Sequence, residues 1–184
     1  MQEGLTYKLI STPKVSFNAS ISPNFKPYEA KDSLSLNGMR REMTFDGSLS
    51  TSYKLARGLI AKVNLSTEVS NEFSGSAAII SISQFIPILG VPVIFQAGSA
   101  WYDKDRAKYF YGVYDTEATA LRPQYDPGSV FVPYLSLNSF YSLTPATSLF
   151  AIINTTMLPE KVLNSPIVKR ENSLNMIVGV GYKF

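Results

Sequence analysis

The chain has 184 residues, of which 45% are hydrophobic and only 17% charged, and its net charge is +3. It contains no Cys and no His, which removes thiol nucleophiles, disulfides, zinc held by nitrogen or sulfur, and Ser-His-Asp chemistry together. No run approaches the roughly 20 apolar residues of a membrane helix, and the basic residues are scattered along the sequence, which argues against a nucleic-acid partner.

In chain order the pattern predicts about nine strands and no helical stretch, set by alternation with a period of two. The first lies near residues 4–11. In 14–22, Val15, Phe17, Ala19 and Ile21 share one face, opposite Lys14, Ser16, Asn18, Ser20 and Ser22. In 42–55, Met43, Phe45, Leu49, Tyr53 and Leu55 oppose Glu42, Thr44, Asp46, Ser48, Ser50, Ser52 and Lys54. In 59–70, Leu59, Ala61, Val63, Leu65 and Val69 oppose Lys62, Asn64, Ser66, Glu68 and Ser70. The stretch 77–86 is apolar on both faces, and 91–102 runs from Val91 through Phe95 to Trp101 and Tyr102. Two further strands are predicted over 130–143 and 147–158. The last covers 174–184, where Leu174, Met176, Val178, Val180, Tyr182 and Phe184 recur at every second position.

A large apolar face at the terminus of a chain is hard to bury in a small soluble domain, but a lipid-facing strand of an outer-membrane barrel requires it. The opposite faces, rich in hydroxyls and charges, suit a wet lumen; a soluble β-sandwich is the competing architecture. The connections alternate in length. Short links follow residues 11, 56, 86 and 143, all at the end where the C-terminus lies, and long ones fall at 23–41, 103–129 and 159–172. Outer-membrane barrels have short periplasmic turns and longer extracellular loops. The expected fold is therefore all-β: one antiparallel transmembrane β-barrel over residues 1–184. Bacterial barrels have even strand numbers, so an odd count predicts N-terminal strands and a signal peptide missing from roughly a 10- or 12-stranded barrel. Tyr53, Trp101, Tyr102, Tyr141 and Tyr182 are expected as interfacial aromatics. Val178, Val180, Tyr182 and Phe184 look like the terminal signal by which the barrel-assembly machinery recognises its substrates.

Several motifs resemble one family. Tyr109-Phe110-Tyr111-Gly112-Val113, then Glu117-Ala118, then Arg122-Pro123-Gln124-Tyr125 resemble a YYYGV…EA…RPxY segment of the MipA/OmpV family. The stretches Pro133–Asn138 and Leu163-Asn164-Ser165-Pro166-Ile167-Val168 resemble further family elements, as does the end Val178–Phe184, where Lys183 stands for a usual Arg. The resemblance implies a bacterial outer-membrane scaffold without catalytic activity or cofactor. It also implies partners: a murein lytic transglycosylase and, through it, a peptidoglycan synthase.

Among individual residues, Glu42, Asp46 and Lys54 fall on one polar strand face, and Lys62 and Glu68 on a neighbouring one. They are expected as lumen charges, either lining a solute path or pairing to brace the wall. The loop 103–129 is the most charged stretch, yet it interleaves Tyr109, Phe110, Tyr111 and Tyr114. It is expected either to pack as a plug or strand extension, or to present a binding surface. Asp115 and Glu117 supply oxygens for Ca²⁺, but the loop lacks glycines at metal-site spacing. Arg40-Arg41 and Lys169-Arg170 fall at the mouths of long loops, where they either meet lipopolysaccharide phosphates or stay solvated. A small-solute channel and a surface adhesin are the alternative functions.

Overall fold

The computed structural model describes residues 4–24, 28–29, 36–169 and 172–183. The alternating segments form strands β1 (Leu5–Ser11), β2 (Val15–Asn24), β3 (Tyr28–Glu29), β4 (Arg40–Arg41), β5 (Thr44–Ala56) and β6 (Leu59–Glu68). They continue as β7 (Ser76–Ile88), β8 (Val91–Tyr102), β9 (Val130–Ser142), β10 (Thr147–Met157) and β11 (Asn172–Tyr182). Nine of them make one antiparallel sheet in the order β1-β2-β5-β6-β7-β8-β9-β10-β11, and β3 and β4 pair separately. Every neighbour in the large sheet is the next strand of that sheet in sequence, so backbone groups are satisfied by antiparallel pairing between successive strands, as a membrane-spanning wall demands. Among the described residues β1 and β11 remain the two edges.

The register carries the alternation across strands. Ala19 faces Leu49, Leu49 faces Leu65, and Leu65 faces Ala78, while Leu137 faces Ile153 and Ile153 faces Met176. The apolar sets thus merge into one continuous outer face, and its side chains are exposed: Leu65 by 55%, Ile80 by 61%, Val178 by 66%. The other face is concave and polar. Ser16 meets Ser52 at 2.6 Å and Ser20 meets Ser48 at 2.9 Å across the β2–β5 pair.

All long connections leave one end of the sheet and all short turns the other. β1 starts at the long-loop end and β11 finishes at the short-turn end, the odd parity that the alternation predicts. The β5–β6 turn needs Gly58, whose φ of +75° is left-handed. Two elements depart from the expectation of strands alone. Helices α1 (Lys104–Tyr111) and α2 (Glu160–Leu163) stand in the long loops. Alternation reports only strands, whereas α1 carries an ordinary helix-start signal: the Asp103 side chain accepts from the Arg106 N–H at 2.8 Å.

Candidate functional site: a loop cap latched onto a polar trough

Above the concave face, three long loops fold together into a cap. Met39, Ala107, Val113 and Val162 are fully buried there, although the outer wall is open. Ala107 and Val162 pack with Val130 and Val132 at the start of β9, flanked by Tyr102, Tyr111, Leu158 and Val168. Tyr109 stacks on Phe73 with ring centroids 4.2 Å apart. Its hydroxyl accepts from the Glu42 N–H at 2.9 Å and donates to the Glu42 carbonyl at 3.1 Å. Gly75 lets α1 come close, since a Cβ there would lie 2.6 Å from the Arg106 nitrogen.

Three buried arginines hold this cap. Arg41 donates from Nε to the carbonyl of Tyr109 at 2.6 Å and forms an ion pair with Glu117 through its two terminal guanidinium nitrogens. Burial pushes the Glu117 carboxyl up, but hydrogen bonds from Arg41 and the Tyr114 N–H, with the charges of Arg41 and Arg122, outweigh it and hold it below the ordinary carboxylate value. Arg122 donates to the carbonyls of Glu117 at 2.6 Å and Asn37 at 3.3 Å, tying the 36–41 segment to the 113–125 segment. Arg106 forks onto both oxygens of Asp46 at 2.6 and 2.9 Å, joining α1 to the wall. Burial raises the phenols of Tyr109 and Tyr111, so both stay neutral.

Beneath the cap lies a trough of about 760 Å³. Asn18, Ser20, Ser48, Ser50, Lys62, Asn64 and Ser81 line its wall, and Tyr102, Arg106, Phe110 and Tyr111 stand at its long-loop end.

The family-motif residues are brought together by this architecture. Tyr109, Phe110 and Tyr111 sit on α1, Gly112 ends it, and Val113 pairs with Tyr125, whose hydroxyl reaches the Lys161 carbonyl at 2.7 Å. Glu117 and Arg122 lie in the polar centre of the cap, Pro123 on its surface, and Ser165, buried, and Pro166 in the turn after α2. The aromatic loop is packed. The expected lumen charges divide. Asp46 and Lys62 line the trough. Lys54 is exposed nearer the short turns. Glu42 precedes β5 and pairs with Arg40 at 2.5 Å, because the strand begins two residues later than alternation places it. Glu68 is also structural: its carboxylate accepts from the N–H groups of Ser70, Glu72 and Ser74 and shapes the β6–β7 loop. Arg41 points inward, so of the Arg40-Arg41 pair only Arg40 is exposed; Arg170 lies outside the described residues. Tyr102 faces the trough and not the lipid side, since it shares the inner parity of Ala100. Val178, Val180 and Tyr182 are exposed on the outer face of β11, and Phe184 lies outside the described residues. The sequence reading missed the latch arginine Arg106; its pairing with Asp46, 60 residues away, leaves no local trace.

An antiparallel wall with an apolar outer face, a polar inner face and all its long loops at one end defines a protein of the outer-membrane β-barrel class. Comparison with known proteins gives the family: the description MltA-interacting protein MipA matches residues 1–184, and the chain belongs to that family. The chain is 25% identical over 124 residues to the putative outer membrane protein YiaT of Escherichia coli (strain K12), covering 67% of this chain and 50% of that one. It is 28% identical over 158 residues to outer membrane protein Omp26La of Vibrio anguillarum, covering 85% and 61%. It is 30% identical over 97 residues to the MltA-interacting protein of E. coli (strain K12), covering 52% and 39%. The chain thus spans about half the length of the curated relatives it matches. No solved structure matches it. The protein is one of the bacterial outer membrane.

Proposed function

We propose that the protein is a non-catalytic scaffold of the outer membrane that holds a murein lytic transglycosylase and links it to peptidoglycan synthesis. One observation carries this reading: the long loops are engaged with each other and with the wall, so the exposed, unengaged end is the short-turn end. In outer-membrane barrels that end faces the periplasm, where murein enzymes work. The name of the E. coli relative points to the same partner. Among the described residues Asp46 is the acid that lines the trough, and its commitment to Arg106 supports a non-catalytic role. The outer face meets lipid, exposed cap cations such as Arg40 suit lipopolysaccharide phosphates, and β11 presents the insertion signal.

Refolded protein in detergent, immobilised and exposed to a purified MltA-type transglycosylase, tests the scaffold. Saturable binding that survives deletion within the loops supports it, and no binding at micromolar concentration refutes it. A second reading, a small-solute channel, is favoured by the polar trough of about 760 Å³. Planar-bilayer conductance separates the two: discrete openings that widen when Arg106 is replaced support the channel.

A further inference from the structure

Scattered in the sequence, the described acids are gathered by the fold at the long-loop end, while cations stand at both ends. Take the rung Lys8–Asn18–Ser50–Asn64 across β1, β2, β5 and β6. Among the described residues no Asp or Glu lies on the short-turn side of that rung. At the rung or below it stand Lys8, Lys14, Lys54, Arg57, Lys62 and Lys183, all exposed, and no ion pair involves any of them among the described residues. Every described acid lies nearer the cap.

Five of these cations cluster along β1, β5 and β6 and in the β1–β2 and β5–β6 turns. The Lys54 N–H donates to the Lys14 carbonyl at 2.8 Å, which sets those two residues side by side. Lys62 faces Ser52, which in turn meets Ser16. Lys8, Lys54 and Lys62 share the parity of the concave face, whereas Lys14 and Arg57 sit at the rim. Strands lie about 4.8 Å apart, so Lys8 and Lys62 are separated by roughly 15 Å. One phosphate or carboxylate cannot span that, so the complementary ligand carries several charges in extended form. Lipid headgroups surround the convex face and do not meet the concave lysines. The trough is obstructed at its far end by Arg106, Phe110 and Tyr111, so a segment that enters and stops fits better than a long polymer passing through.

We infer that the short-turn end of the trough is a docking site for an acidic peptide segment of a periplasmic partner protein. Which protein supplies the segment rests on the scaffold reading above; the chemistry of the face does not.

The test uses the whole chain refolded in a neutral detergent, with fluorescein-labelled hexaglutamate as the probe and anisotropy as the readout. Exposed ion pairs change affinity by about two- to fourfold each, so the variant K14Q/K54Q/R57Q/K62Q binds the peptide at least about tenfold more weakly. Binding to the parent weakens as salt shortens the screening length, and K104Q/K161Q on the cap leaves it unchanged. The reversed variant K54E/K62E releases hexaglutamate and captures hexalysine, an exchange that a misfolded chain does not produce. Equal binding by the quadruple variant, or an equal loss with the cap variant, overturns the proposal. Tighter binding of a soluble murein fragment than of hexaglutamate at the same residues also overturns it, in favour of an acidic glycan. If hexaglutamate binds as expected and the transglycosylase does not bind, the docking site stands and the scaffold reading falls.

Discussion

The wall and the cap of this protein are stabilised by opposite means. In the wall the apolar side chains point outward and stay exposed, so its free energy comes from backbone pairing inside and lipid outside. In the cap Met39, Val113 and Val162 are fully buried and arginines are paired in the interior, as in a small soluble domain. The two meet at Asp46–Arg106 and at the start of β9, where Val130 and Val132 belong to both. Among the described residues the core thus lies where the chain leaves the bilayer, so the loops are a structural unit and not loose connections.

The largest effect expected is on the cap alone. Arg41→Met leaves the half-buried Glu117 without its ion-pair partner and frees the carbonyls of Tyr109 and Gly112. Breaking a buried pair in this way costs about 3–5 kcal/mol. Limited proteolysis then cuts within 103–129, while the heat-modifiable mobility of the refolded wall persists. Loss of both together shows that the wall does not stand without its cap and breaks the comparison.

The complementary change strikes the wall. Val63 lies mid-strand on the outer face, between Thr51 and Ile80. Val63→Arg costs about 2–4 kcal/mol if that face meets hydrocarbon, read as a lower urea midpoint in vesicles. In the cap, an exposed charge added at Pro123 changes stability little by the same measurement. Tolerance of the arginine at Val63 means that the face is not in lipid.

A pH titration separates the regions more gently. The Glu117 carboxyl is held below the ordinary value of 4.5. A depressed folded pKa gives stability that is present in full above the unfolded value and lost as pH falls through the folded one. The cap therefore loosens on acidification below about pH 4.5, seen as rising cleavage within 103–129 by an acid-active protease. Glu117→Gln removes that dependence. A cap equally resistant at pH 3 and pH 7 contradicts the role of this pair.

The same division explains what was legible in the sequence. Most strands of the wall can be read from residue parity, because a period of two is local and lipid enforces it; β7, apolar on both faces, is read from its apolar run instead. Even the ends of the hairpins follow, since Arg57-Gly58 and Pro145-Ala146 punctuate it. The cap was visible only as an excess of aromatics in a charged loop. Its order depends on contacts between residues far apart, such as Arg41 with Tyr109 and Arg122 with Asn37, and no periodicity records those. Glu42 and Glu68 depart from the expectation for one reason: Glu42 lies just before β5 and Glu68 is the last residue of β6, and at strand ends side chains turn to serve loops. The charge sorting of the short-turn end was hidden likewise, because Lys8, Lys54 and Lys62 come together only when β1, β5 and β6 are set side by side.

The smallest effect contrasts two connections. Asn71 and Ser74 in the β6–β7 loop have φ of 67° and 55°, and the Glu68 carboxylate fixes that loop by accepting its N–H groups. Leu89 in the β7–β8 turn has φ of 50° and is 99% exposed, followed by Gly90 at φ 81°. Two left-handed residues in a row suit a tight hairpin, but a leucine is a poor choice for the first of them. The left-handed conformation costs an L-residue about 1–2 kcal/mol, and asparagine bears it with less strain. Leu89→Asn is therefore expected to raise the stability of the wall by about 1 kcal/mol, measured as a higher urea midpoint, with no change in cap proteolysis. An unchanged or lower midpoint means that the strain is absent or that the side chain contributes to the fold. A gain in stability together with weaker binding of the transglycosylase gives the leucine a different meaning: an exposed apolar anchor at the short-turn end, kept in a strained turn because it is used there.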